Sequence, residues 1–204
     1  MELDDTYKTL QEISEAVYTE KRSKFLAFAM PVETAEEVKE LVAQYAKKYY
    51  DARHVCYAYM LGHERKEFRA NDNGEPSGTA GRPILGAINS HELTNVLIVV
   101  IRYFGGIKLG TGGLVVAYKE AAHEAIACGV IIEKLVEEDV HVIFEYPYLN
   151  PIMRIVKEEN PTVVSQTFDN DCEMVLRIRK SEMEKLRNRL LKVDSARIPE
   201  EDNL

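Results

Sequence analysis

Two glycine-rich stretches hold the residues best able to do chemistry. The first runs Asn71-Asp-Asn-Gly-Glu-Pro-Ser-Gly-Thr-Ala-Gly-Arg-Pro83 and the second Arg102-Tyr-Phe-Gly-Gly-Ile-Lys-Leu-Gly-Thr-Gly-Gly113. In the second, the pattern predicts a buried strand that turns through Gly105, Gly106 and Gly110 and enters a helix near Gly112 and Gly113. The first N–H groups of a helix have no intrahelical acceptor and favour negative charge. With Arg102 and Lys108 close by, Thr111 among the glycines and Arg82 closing the first stretch, this helix start is a candidate site for an anion or for RNA. The glycines are also explained by positive φ and close packing alone, and both readings stay open. Neither a G-x-x-x-x-G-K-[ST] nor a G-x-G-x-x-G string is present, so the chain is no P-loop or dinucleotide enzyme.

The first stretch offers carboxylates and hydroxyls in a turn: Asp72, Gly74, Glu75, Ser77, Gly78 and Thr79. A serine nucleophile would want G-x-S-x-G, and Ser77 stands one position too far from Gly74. The calcium-loop pattern fails because Arg69 and Ala80 occupy its first and twelfth positions. Asp72 and Glu75 are therefore expected as solvated turn carboxylates. His54, His63, His91, His123 and His141 are scattered without ligand spacing. No catalytic residue, metal or cofactor is predicted. Cys56, Cys128 and Cys172 form no C-x-x-C pair and are expected as buried thiols of a reducing compartment.

The elements that must position these loops follow from periodicity. Phe25 to Met30 and Arg53 to Leu61 read as strands, the second alternating Val55, Tyr57, Tyr59, Leu61 against Cys56, Ala58, Met60. Between them Thr34-Ala-Glu-Glu37 is a capping box for a helix carrying Val38, Leu41, Val42, Tyr45 and Tyr49. Phe68 sits in a short strand, Pro83 suits a short helix toward Ser90, and Thr94 to Tyr103 is a strand buried on both faces. A helix from about Leu114 to Ala127 should end on Gly129 as a left-handed cap. From about Leu135 the order is β-α-β-β-α-β: Val140 to Phe144, Leu149 to Val156, Thr162 to Phe168, Glu173 to Ile178, a helix capped at Ser181 to about Lys192, and Ser195 to Ile198. Asp169-Asn-Asp171 joins the middle strands. That is a ferredoxin-like order. The fold class is α+β: residues 1–135 form a two-layer α/β domain and 136–204 a ferredoxin-like one.

The 204 residues carry a net charge of -8, which opposes indiscriminate nucleic-acid binding by the whole surface. Cations nevertheless collect between Ser77 and Lys119, and again in Arg177, Arg179, Lys180, Lys185, Arg187, Arg189 and Lys192, a second candidate basic patch. The acidic start and the short apolar runs predict no signal peptide and no membrane span, hence a cytoplasmic protein.

The string Asp72-x-Gly-Glu-Pro-Ser-Gly-Thr-Ala-Gly-Arg-Pro83, followed by Val99-Val-Ile-Arg-Tyr-Phe-Gly-Gly-x-Lys-Leu-Gly110, resembles the signature of the IMPACT/YigZ family. Ser23-Lys-Phe25 and Arg53-His-x-Cys-Tyr-Ala-Tyr59 fit the same pattern. The resemblance covers most of residues 15–130. It implies an N-terminal fold shared with a small-subunit ribosomal protein and a late domain of elongation factor G. The C-terminal third resembles the last domain of that factor. A role in translation or its regulation is implied. Eukaryotic relatives of that family damp a starvation-kinase pathway partly through an extra N-terminal domain, which is not expected here, so that role is not carried over whole. Asn73 stands where many members have Asp, and Val116 where many have Arg.

The expected function is a non-catalytic, translation-associated regulator binding RNA, the ribosome or a translation factor. The alternatives are an enzyme or binder of a small anionic ligand, in a pocket lined by Asp72, Glu75, Arg82 and Arg102, and a protein-docking module built on the C-terminal domain.

Overall fold

A computed structural model of the chain describes residues 5–169 and 171–199. These divide into two compact units, Tyr7–Lys134 and residues 135–199 joined by Asp5 and Thr6. Both mix helices with antiparallel sheet, and the molecule is of the α+β class.

The larger unit holds β1 (Thr6–Leu10), β2 (Ser14–Glu20), β3 (Ser23–Pro31), α1 (Ala35–Lys48), β4 (His54–Leu61), β5 (Glu67–Asn71), α2 (Gly81–Ser90), β6 (Val96–Tyr103), α3 (Gly110–Cys128) and β7 (Ile131–Leu135). Five strands form an antiparallel sheet in the order β2-β3-β6-β4-β5, and β1 pairs with β7. β6 is the central strand; Val96 to Ile101 are fully buried, as its continuous apolar run requires. The alternation of β4 sorts two cores. Cys56, Ala58 and Met60 face α2 and α3, whereas Val55, Tyr57, Tyr59 and Leu61 share a cluster with Val38, Leu41 and Tyr45 of α1. The sheet is therefore covered on both faces, and α1 adds a layer to the two expected from sequence. Thr34 accepts the Glu37 N–H at 3.2 Å, as the capping box predicts.

The smaller unit holds β8 (Glu137–Glu145), a 3₁₀ turn (Tyr146–Tyr148), α4 (Leu149–Glu159), β9 (Thr162–Phe168), β10 (Asp171–Arg179) and α5 (Lys180–Leu190). The sheet order is β8-β10-β9, all antiparallel. An isolated Ile143↔Arg197 bridge stands where the last strand is expected and completes the ferredoxin-like order. Val140, Val142, Phe144, Met174, Leu176, Leu186 and Leu190 form its core. Every residue of β9 is exposed, and its register slips opposite Val175/Leu176, leaving Val164 as an extra residue. In the Asp169-Asn-Asp171 connection, Asn170 lies outside the described residues.

Several local expectations are corrected. α3 begins at Gly110, a full turn earlier than the apolar pattern suggests, because glycines carry no periodicity to read. Gly129 is extended (φ -92°, ψ 170°), not left-handed; a Cβ there would lie 2.8 Å from Ser14 Oγ, so close packing accounts for the glycine. The capping box at Ser181 does not form. α5 starts at Lys180, and the Ser181 N–H donates to Asp5 Oδ2 at 3.1 Å, an acceptor distant in sequence. Cys128 is exposed, whereas Cys56 and Cys172 are buried. Among the described residues no helix is long and apolar enough to cross a membrane.

Candidate functional site

Both glycine-rich loops lie in the larger unit, at the end of the sheet where β6 carries Arg102. Register places Phe25 and His54 opposite Arg102, on either side of it. The chain leaves β6 at Tyr103 and passes Gly105, whose backbone presses so close to Arg22 that a Cβ would lie 2.0 Å from its carbonyl carbon. The Gly105 N–H donates to Ser23 Oγ at 3.2 Å. Gly106 (φ 86°) and Gly110 (φ 73°) make the left-handed turns that lead into α3. No side chain caps α3, and its first turn is open: Gly110, Thr111 and Gly112 are exposed and Gly113 is half-buried. Lys108 is exposed, as are Phe104 (52% accessible, with the Arg102 guanidinium 5.7 Å from its ring centroid), Ile107 and Val116. The region thus combines open amides, a cation and an exposed aromatic ring.

The first loop is built differently. Asp72 reaches across it and accepts three backbone N–H groups: Gly78 (2.7 Å), Ala80 (3.0 Å) and Gly81 (2.8 Å). It supplies the acceptor that the start of α2 lacks from its own N-cap, Ala80. Burial pushes the Asp72 carboxyl up. The three amides and the charge of Arg82 more than offset this and hold its pKa below the ordinary value. Thr79 is buried and donates to the Pro76 carbonyl at 2.6 Å, while Ser77 and Arg82 are exposed. Gly74 (φ 80°) and Gly78 (φ 77°) turn the loop, Gly74 against the His54 ring.

Beneath the loops lies a buried polar cluster. Arg102 (7% accessible) donates from Nη1 to Glu75 Oε1 at 2.6 Å, and Glu75 is itself only 9% accessible. The Tyr118 hydroxyl donates to the same oxygen at 2.8 Å, and the second carboxylate oxygen faces His54 Nε2 at 3.9 Å. His54 Nδ1 pairs with the Asn73 carbonyl at 2.8 Å. Cys56 donates to the Asp72 carbonyl at 2.9 Å and touches the Tyr118 hydroxyl at 3.4 Å. Burial pushes the Cys56 thiol up to about 12 and the Tyr118 phenol upward, so both stay protonated and unreactive near neutral pH.

Two sequence expectations fail here. Arg102 is not free to meet an anion, because it is locked onto Glu75. Asp72 and Glu75 are not solvated turn carboxylates; one caps a helix and the other neutralises a buried arginine. Arg102 and Glu75 are 27 residues apart, and nothing in local spacing could have paired them.

The second basic patch is also committed to carboxylates. Arg177 makes a two-pronged pair with Asp139 (2.7 and 2.9 Å), Arg179 meets Asp5 (3.3 Å), Lys185 meets Glu159 (2.7 Å), and Arg189 binds both Glu158 and Glu159. Arg187 is exposed and lines a cleft of about 400 Å³ with Glu138, Asp139 and His141. The patch read as basic from sequence is a mixed-charge surface.

Residues 21–126 match the model of the Impact N-terminal domain, a span that takes in both loops and the buried cluster. This chain belongs to the IMPACT family. It is 32% identical over 177 residues to the IMPACT family member YvyE of Bacillus subtilis, covering 87% of this chain and 82% of that one. It is 31% identical to an IMPACT family member of Haemophilus influenzae, covering 87% of each. A crystal structure described as that of a hypothetical protein superposes with a TM-score of 0.76 at 25% identity, spanning 98% of this chain and 100% of its own. For an IMPACT family chain, then, the glycine signature has two physical jobs in this molecule: one loop is held by Asp72, the other is left open at the head of α3.

Proposed function

We propose that this IMPACT family member is a non-catalytic, translation-associated regulator that binds RNA, the ribosome or a translation factor through the loop Phe104–Gly113. One observation carries the reading. The first turn of α3 is open and uncapped, with exposed Lys108 and Phe104 beside it. Amides and a cation suit a phosphate, and an exposed aromatic ring suits a base. Arg102 supports the loop from below and does not contact the ligand in this proposal. Arg82, exposed at the other loop, is a second cation of the surface. The role in translation rests on family membership.

The small-ligand alternative loses support, since Glu75 and Arg102, two of the four residues meant to line its pocket, are buried against each other. The test is co-sedimentation with ribosomes, plus binding to single-stranded RNA across a salt series. Lys108→Gln should lower the slope of log K against log salt by about one. Phe104→Ala should weaken RNA binding by ~1–3 kcal/mol. Absence of any ribosome or RNA affinity at low salt would refute the proposal.

A further inference from the structure

His91, the C-cap residue of α2, and His123, in the middle of α3, are brought together in the larger unit although 32 residues separate them. His91 Nε2 lies 3.0 Å from His123 Nδ1, the ring centroids are 5.2 Å apart, and the ring planes are inclined at 57°. Both side chains are half-buried, so the rings are held by their helices yet open to solvent on one side. The pair takes no part in the loop surface proposed above.

We infer that His91 and His123 form a two-histidine binding site for a divalent transition-metal ion of the Ni(II) or Cu(II) type. A modest turn of the two rings points both lone pairs at a common ion; two nitrogens 3.0 Å apart, each bonded to it at ~2.1 Å, then subtend roughly a right angle at the metal. That angle fits neighbouring positions of a square-planar or octahedral sphere, which Cu(II) and Ni(II) favour. It is narrower than the tetrahedral angle preferred by Zn(II). Without an ion, one N–H is shared between the two rings. For chelation, His91 carries its hydrogen on Nδ1 and His123 on Nε2, so the ion replaces the shared hydrogen by a tautomer shift with no net proton release.

The surrounding charges bear on the same point. Burial and the neighbouring His91 hold the His123 pKa below its ordinary value, Lys119 adds to this and Glu120 opposes it. A neutral ring with an available lone pair is the form a metal needs. Glu120 precedes His123 by three residues and so lies on the same helix face. Among the described residues no group of three or more His, Cys, Asp or Glu side chains is gathered for a metal. The remaining positions therefore fall to water. A bound ion would tie the C-terminal end of α2 to α3, the two helices whose N-terminal ends lie in the glycine loops.

The experiment is calorimetric titration of NiCl₂ into the full chain near neutral pH, repeated with His91→Gln, His123→Gln and ZnCl₂. Expected are one saturable ion per chain, weaker binding of Zn(II), and a loss of roughly tenfold or more in either variant. No saturable binding, equal binding by both variants, or tighter binding of Zn(II) than of Ni(II) would overturn the inference. Should a variant fail to fold, Cu(II) broadening of the wild-type histidine ring resonances answers the same question. Broadening confined to His91 and His123 supports the site, and broadening elsewhere or none sinks it.

Discussion

Arg102 shows how far a side chain's role can depart from its sequence neighbourhood. Beside Lys108 and five glycines it looks like a ligand-binding cation, yet it spends its charge on Glu75 beneath the loop. Removing one member of a buried ion pair strands the other. Arg102→Ala should therefore lose about 3–5 kcal/mol in urea unfolding, whereas Arg102→Met with Glu75→Leu should recover much of it. Asp72 makes a pH-dependent contribution. Its pKa is lower folded than unfolded, so its stabilisation is complete above the ordinary aspartate value of about 3.9. It is lost as pH falls through the depressed folded value. The stability gap between wild type and Asp72→Asn should be constant near neutrality and close on acidification in a series of chemical denaturations. Thiol chemistry is selective as well. Cys128 is exposed and should react quickly with a disulfide reagent, while buried Cys56, its pKa pushed to about 12, and buried Cys172 stay silent until unfolding.

At the level of elements, legibility followed periodicity. β4 was readable because strict alternation must put Val55 and Cys56 on opposite faces, and the structure sorts them into separate cores. β6 was readable from its unbroken apolar run. The start of α3 was not, because Gly110 to Gly113 supply neither alternation nor helical spacing. β1, β2 and β7 were missed: apart from Thr9, Leu10 and Ser14 their residues are partly buried or exposed, and charged groups such as Glu15, Glu20 and Lys134 break the pattern. At Ser181 the local capping signal was present but a distant carboxylate, Asp5, took its place. Close backbone approach was equally hidden. Gly81→Ala would place a Cβ 2.4 Å from the Asn71 nitrogen, and Gly105→Ala one 2.0 Å from Arg22, so both should lower the thermal midpoint, while Gly112→Ala, with open space around it, should not.

For the molecule as a whole, the α+β class and the family signature were in the sequence, and the distribution of usable charge was not. Seven cations near the C-terminus suggested a second nucleic-acid surface, but Arg177, Arg179, Lys185 and Arg189 each find a carboxylate. Salt dependence of ribosome or RNA binding should accordingly respond to Lys108 and little to Arg177→Gln. One further consequence follows from β9, seven uncharged residues with no lysine or proline to discourage another strand from stacking on them. The spare residue Val164 breaks the register of that edge, and a bulge of this kind makes a strand a poorer template for another chain. Excising it would straighten the strand into a self-templating surface, and heated samples of the deletion should turn turbid sooner than those of the parent.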